Sequence, residues 1–216
     1  MEILRQENGY IAVSKPANGE ISFPSASPIY PLDPELSGIA LFGENKTITA
    51  ALRNAFGSDQ MAFRFMLIAK TVAFLADEIA CDLPLAPHRQ ENRMVVSRRT
   101  GKKTFTKFKK IEASKSHTLW SAETTLLRRH QIRLHAHEVG IPIFGENIYA
   151  QIAVPSLADF KKNVKQNRKG PPQIFYNSIC IHLAKLHFSL EGSGVTIEAP
   201  WPEKLRAMQK IMAKWN

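Results

Sequence analysis

Short apolar runs alternate with polar punctuation along the chain, and their period changes from segment to segment. Tyr10-Ile11-Ala12-Val13 is ended by Lys15-Pro16, which predicts a strand followed by an extended turn. Residues 16–31 hold Pro16, Pro24, Pro28 and Pro31 and read as a loop. Gly38-Ile39-Ala40-Leu41-Phe42-Gly43 predicts a buried strand; Ile48, Ala51, Leu52, Ala55 and Phe56 then share one helical face, with Gly57 placed to cap it. Residues 63–69 predict a second buried strand and residues 72–80 a short helix. Residues 104–111 and 118–127 predict two more strands, the second with Trp120, Ala122 and Leu126 on one face. Residues 130–139 suit a short helix stopped by Gly140 and Pro142. Residues 179–190 and 195–199 flank Gly192-Ser193-Gly194 in a hairpin pattern. A last helix starts near Pro202 and carries Leu205, Met208, Met212 and Trp215 on one side. Strands and helices follow in irregular order without internal repeats, which points to an α+β fold.

Charge changes this picture more than composition does. The 216 residues are 44% hydrophobic and 22% charged, ordinary for a folded domain, and no apolar run is long enough to span a membrane. The formal net charge of +10 is unevenly placed: residues 1–60 carry a net −3 and residues 61–216 a net +13. Residues 89–115 hold ten bases against two acids, and residues 161–169 hold five bases and no acid. Such clusters fit a polyanionic partner, since phosphate contacts from Lys and Arg supply most non-specific nucleic-acid affinity. Lys103 and Lys107 in the first cluster, and Lys161, Lys162 and Lys165 in the second, are the candidate nucleic-acid contacts. Residues 151–178 are polar and basic and read as a long loop or insertion in a single domain spanning 1–216. Two cysteines, Cys81 and Cys180, suggest a reduced, cytoplasmic protein rather than a disulfide framework.

Several chemistries find no support. His130, His135 and His137 cluster, but His135 and His137 are two apart, where a helical metal site wants ligands four apart; no metal is expected. There is no G-x-S-x-G elbow and no glycine loop to cradle a nucleotide, so no cofactor is expected either. What remains is an acid, Asp33, at a loop–strand junction, and a basic helix start, Arg128-Arg129-His130-Gln131-Ile132-Arg133, which by itself reads as a phosphate-contact patch.

These segments, taken in order, resemble the RluA-like family of RNA pseudouridine synthases. Ser14-Lys15-Pro16-Ala17 resembles the family's Lys-Pro loop, and Tyr30-Pro31-Leu32-Asp33 with Leu36-Ser37-Gly38 resembles its His-Arg-Leu-Asp…Thr-Ser-Gly motif. His130-Gln131-Ile132-Arg133-Leu134-His135 is similar to His-Gln-Ile-Arg-Val-His, and residues 142–149 continue it as Pro-Ile-x-Gly-Asp-x-x-Tyr would. Ile181-His182 and Glu198-Ala199-Pro200-Trp201-Pro202 resemble the closing strand pair. Several positions depart from the pattern. Tyr30 and Pro31 stand for His and Arg, Leu127 stands for Gly in Thr-Gly-Arg-Thr, and Phe65 stands for the active-site Tyr.

The resemblance implies the synthase catalytic fold, a mixed and largely antiparallel sheet with flanking helices, without a separate N-terminal RNA-binding domain. It implies isomerisation of uridine in ribosomal or transfer RNA by a monomer. Asp33 would be the catalytic carboxylate and Arg133 its partner through paired hydrogen bonds, while Phe65 would stack on the flipped uracil. Arg128, Arg129, His130 and Gln131 would contact RNA. The alternatives are a relative that binds RNA without isomerising it, favoured by Pro31 and Leu127, and a hydrolase pairing Asp33 with one of the clustered histidines.

Overall fold

Along residues 62–70, Phe63, Phe65 and Leu67 are buried while Arg64 is exposed, the alternation of a strand with one face on a core. The computed structural model describes residues 2–156, 174 and 176–214. In chain order the elements are β1 (Glu2–Glu7), β2 (Tyr10–Lys15), β3 (Ser27–Pro28), β4 (Ser37–Gly43), α1 (Lys46–Gly57), β5 (Ala62–Lys70), β6 (Glu78–Cys81), β7 (Leu85–Pro87), β8 (Met94–Val96), β9 (Thr106–Ala113), β10 (His117–Thr124), α2 (Gln131–Glu138), β11 (Ile181–Leu190), β12 (Ser193–Glu198) and α3 (Glu203–Lys214). One sheet runs β1-β2-β4-β11-β5-β10-β9-β6, with β12 on β11 and β3 on β4; β7 and β8 form a separate hairpin. Among the described residues the pairing of β4 with β11 is parallel and the other strand pairs are antiparallel. This is the mixed, largely antiparallel α+β architecture that the sequence implies.

The main core joins the sheet to Ile48, Leu52 and Ala55 of α1 and to Leu205, Met208 and Met212 of α3. Asn45 caps α1 by accepting the Ile48 N–H at 2.9 Å. On the opposite face of β2 and β4, Ile11, Val13, Ala40 and Phe42 are covered by Ile21 and Phe23 of the proline-rich loop, Phe23 meeting Phe42 edge-on at 5.0 Å. A third cluster packs Leu134 of α2 against Leu85 and Met94 of the hairpin.

The parallel seam organises the centre. Ser37 lies opposite His182 and Gly38 opposite Leu183. Ser37 Oγ is 2.9 Å from His182 Nδ1, and His182 Nε2 is 3.2 Å from the Ala199 carbonyl oxygen. Burial pushes His182 down to about 4, so the neutral ring donates Nε2–H to the carbonyl and accepts the Ser37 hydroxyl on Nδ1. Gly38 has φ +130, and a Cβ there would lie 2.4 Å from the Leu183 carbonyl oxygen. Gly38→Ala is therefore expected to cost about 3 kcal/mol and lower Tm by roughly 6–12 °C. Gly57→Ala is the control, because a Cβ there meets nothing within 4 Å; thermal melting of the two variants checks the difference.

Three local readings need correction. Residues 72–80 are not a helix: Phe74 has a left-handed φ of 64, incompatible with a helical run, and Glu78–Cys81 instead pairs with β9. Gly57 does not cap α1; Ser58 closes it by donating its backbone N–H to the Asn54 carbonyl, and Asp59 takes the positive φ. The strand β1 and the hairpin β7–β8 arise where local periodicity gives no signal. Most of the basic stretch 151–178, with Lys161, Lys162 and Lys165, lies outside the described residues. Among the described residues no helix is long and apolar enough to cross a membrane.

Candidate active site

The site begins as a loop that the chain ties down from several sides. Tyr30 packs edge-on against Phe63 with ring centroids 5.0 Å apart and donates its hydroxyl to the Ile39 carbonyl at 2.8 Å. Lys15, buried at the end of β2, donates to the carbonyls of Pro34 at 2.8 Å, Leu36 at 2.7 Å and Pro16 at 3.1 Å. An ammonium spent on three carbonyls satisfies backbone groups that would otherwise be orphaned in a proline-rich loop. Burial pushes Lys15 down to about 8, with Glu35 and Asp33 pulling it back up. Ser178 Oγ donates to the Glu35 carbonyl at 2.6 Å from the approach to β11. Asp33 and Glu35 are thus carried on a rigid segment.

The second half is the start of α2. His130 occupies the cap position with φ 52, left-handed, and its backbone N–H points at the Asp33 carboxylate, 3.1 and 3.3 Å from the two oxygens. A helix N-terminus favours an anion at that place. The His130 ring is fixed as well: Nδ1 is 3.0 Å from the Tyr149 hydroxyl, which accepts the Met94 N–H at 2.9 Å. The Tyr149 hydroxyl keeps a proton that it can donate to Nδ1 of a neutral imidazole. Burial, then Arg133 and Arg129, push His130 down to about 4, in agreement.

Arg133 is where the structure differs most from expectation. Its side chain is 1% exposed, and its paired hydrogen bonds go not to Asp33 but to Glu146, Nε to Oε2 and the second terminal nitrogen to Oε1, both at 2.8 Å. The same Glu146 carboxylate accepts the N–H groups of Ile148 at 2.7 Å and Tyr149 at 3.1 Å. Burial opposes ionisation of Glu146, but Arg133 and the two backbone donors outweigh it and hold the carboxyl below its ordinary value. Segment 142–145 delivers Glu146 by threading between β5 and the approach to β11, with Lys70 N–H on the Pro142 carbonyl, Phe144 N–H on the Ile68 carbonyl and Cys180 N–H on the Phe144 carbonyl. Arg133 reaches Asp33 only through its charge.

Asp33 is 8% exposed. Burial raises its pKa; the His130 N–H, Arg133 and Arg129 pull it down, Glu35 pushes it up, and the balance lies at about 6. If the reaction needs the ionised carboxylate, kcat/KM should fall on the acid side with an apparent pKa of about 6, as Asp33 takes up a proton. A pH–rate profile checks this; a limb near 4 would mean that the carboxylate of the free protein is solvated rather than buried.

The remaining expected residues separate into two groups. Gln131 is 1% exposed and is engaged within the protein: it accepts the Arg128 N–H at 2.9 Å, and its amide reaches the Phe105 carbonyl and the Thr106 and Thr124 hydroxyls at 3.0–3.1 Å. Gln131, and the backbone N–H and Nδ1 of His130, are engaged within the protein and orient the helix start. Phe65 is wholly buried in the main core, opposite Ala122 and Leu183 across the strands, so its placement is that of a packing residue rather than an open stacking face. Arg129, Lys103 and Lys107 are on the surface. Arg129 bonds Asn92 at 2.6 Å, Lys107 pairs with Glu78 at 2.9 Å, and Lys103 lines a groove beside Phe105 and Asp82. Arg128 is half-buried, its Nε without a hydrogen bond. Lys15, Glu146 and Tyr149 lie in the family motifs without an assigned role, and Glu35 lies in the gap between Asp33 and Leu36. A buried Arg133 amid Ile132 and Leu134 demands an acid, but nothing local says that it is Glu146.

Residues 23–138, more than half of the chain, match the family model described as RNA pseudouridylate synthase. The chain is 22% identical over 189 residues to the "Uncharacterized RNA pseudouridine synthase YlyB" of Bacillus subtilis, covering 86% of this chain and 55% of that protein. It is 25% identical over 193 residues to the "Ribosomal large subunit pseudouridine synthase D" of Neisseria meningitidis, covering 88% and 49%. The chain thus spans about half the length of these curated relatives. In fold it is similar to the human "RNA Pseudouridylate Synthase Domain Containing 4", with a TM-score of 0.74 at 17% identity over 98% of this chain and 93% of that one. The architecture, the ordered motifs and the family match agree: this chain belongs to the RNA pseudouridylate synthase family.

Proposed function

We propose that the chain isomerises uridine to pseudouridine in structured RNA, ribosomal or transfer, with Asp33 as the reacting carboxylate. The observation that carries this reading is a buried carboxylate fixed on the His130 N–H at a helix start, within the field of Arg133. The reaction breaks the bond from uracil N1 to the sugar and forms one from C5 to the same sugar carbon; C5 loses a proton and N1 gains one. No redox change or net hydrolysis occurs. A carboxylate beside the sugar can attack that carbon or remove a neighbouring sugar proton. The target base leaves its stack to reach it. Lys103, Lys107, Arg128 and Arg129, with the basic stretch 161–169, are the groups that would hold the phosphate backbone. One copy of the chain supplies every group of the constellation, which supports a monomer as the acting unit. Cys81 and Cys180 are buried free thiols, in keeping with a reduced cytoplasmic setting.

The test is release of tritium from ribosomal and transfer RNA labelled at uracil C5, because only the new bond at C5 expels that hydrogen. Release with intact RNA is the expected result. Binding without release from either RNA would make the chain an RNA-binding relative, and free uracil would make it a hydrolase.

A further inference from the structure

Beside Asp33, two buried side-chain atoms lack hydrogen bonds: Oε2 of Glu35 and the remaining terminal nitrogen of Arg133, Nη1. They face each other at 3.7 Å, too far for a direct hydrogen bond. Arg133 is fixed, whereas Glu35 stands on a held backbone with its side chain 38% exposed, open to an incoming ligand. Nε and the other terminal nitrogen of Arg133 are held by Glu146, and that second nitrogen also lies 3.3 Å from the Asn147 amide oxygen. The loop carrying Glu35 is held by Lys15 on either side and by Ser178 on its own carbonyl. Both groups are close enough to Asp33 to act on its titration. The two are ion-paired without a hydrogen bond, and buried polar atoms in that state cost free energy that a ligand or a water can offset.

The pair consists of an acceptor, Glu35 Oε2, beside a donor, Arg133 Nη1. Uracil carries the complement on adjacent ring positions, an N3–H donor next to a carbonyl oxygen. Cytosine offers a lone pair at N3, which a carboxylate repels. We propose that Glu35 and Arg133 form the uracil-reading edge of the site, with Glu35 accepting the base's N3–H and Arg133 donating to the adjoining carbonyl. This rests on the function proposed above and adds to it the residue that selects the base, Glu35.

Ligand-observed NMR on the full chain tests it with three probes: uridine 5′-monophosphate, its N3-methyl derivative and cytidine 5′-monophosphate. Wild type should bind the first at least about tenfold more tightly than the other two, the scale of one charge-assisted hydrogen bond. Glu35→Ala should bring the three within about twofold, whereas Glu35→Gln, which keeps an acceptor, should retain part of the preference. Equal binding of uridine and N3-methyluridine monophosphate by wild type overturns the proposal, as does an unchanged preference in Glu35→Ala or no uridine monophosphate binding at millimolar concentration. Should Glu35→Ala fail to fold, the wild-type comparison and Glu35→Gln decide. Tritium release is read separately. Discrimination without release would remove the isomerase reading and keep the uracil edge; release without discrimination would do the reverse.

Discussion

Asp33→Asn should abolish tritium release, by about 10⁴-fold or more, while RNA affinity stays within a few-fold of wild type. The amide keeps an oxygen for the His130 N–H and the shape of the loop, but it can neither attack the sugar nor take a proton. The same substitution should leave stability intact or raise it above pH 6. Because burial lifts Asp33 to about 6, the folded protein binds this proton more tightly than the unfolded chain does. The resulting stabilisation is complete below the unfolded value near 4 and is lost as pH rises through 6. Above that, the ionised carboxylate opposes folding, and a neutral isostere relieves up to about 3 kcal/mol. Filter binding, tritium release and melting curves at pH 5 and pH 8 check the three claims together. A variant that loses binding in parallel with turnover would make Asp33 a scaffold residue. One that is markedly less stable at pH 8 would mean that Arg133 stabilises the charge more than burial opposes it.

The contrast between Asp33 and Arg133 marks the limit of what the sequence discloses. β4 and α2 were legible because local rules determine them: a run of apolar residues behind Ser37-Gly38, and a helix ended by Gly140 and Pro142. Gly38 reads in the sequence only as the bracket of a strand, and its requirement appears with the Leu183 carbonyl opposite. Family resemblance names Asp33 and Arg133 as partners; in the structure they act on each other through charge alone, and the paired hydrogen bonds of Arg133 go to Glu146. Glu146 reaches it through segment 142–145, which is held by backbone bonds from β5 and residue 180; such tertiary threading leaves no periodic trace. The reading of residues 72–80 as a helix failed for a related reason, since Glu78–Cys81 is a strand only because β9 offers an edge. Gln131 shows the converse. A polar residue in a basic patch looks like an RNA contact, and only the positions of Thr106, Thr124 and Phe105 reveal that it secures the helix start.

If Glu146 is what holds Arg133, Glu146→Ala should be the most destabilising single change at the site. It strands a guanidinium that is 1% exposed without its two strongest acceptors, and leaves the Ile148 and Tyr149 N–H groups unpaired. Breaking a buried ion pair from one side costs about 3–5 kcal/mol, which for a chain of this size lowers Tm by roughly 6–20 °C. The sign with pH runs opposite to that of Asp33. Glu146 titrates below its ordinary value, so its contribution is present above the unfolded pKa near 4.3 and fades only on further acidification. The gap between wild type and Glu146→Ala should therefore stay constant from pH 8 to pH 5 and close below pH 4. A double variant, Arg133→Met with Glu146→Leu, separates structure from chemistry, because replacing both members of a buried pair by apolar residues is often neutral or stabilising. Recovery of Tm without recovery of tritium release would assign Arg133 a part in the reaction as well as in the fold. Recovery of both would reduce the pair to scaffolding and leave Asp33 and the His130 N–H as the working core of the site.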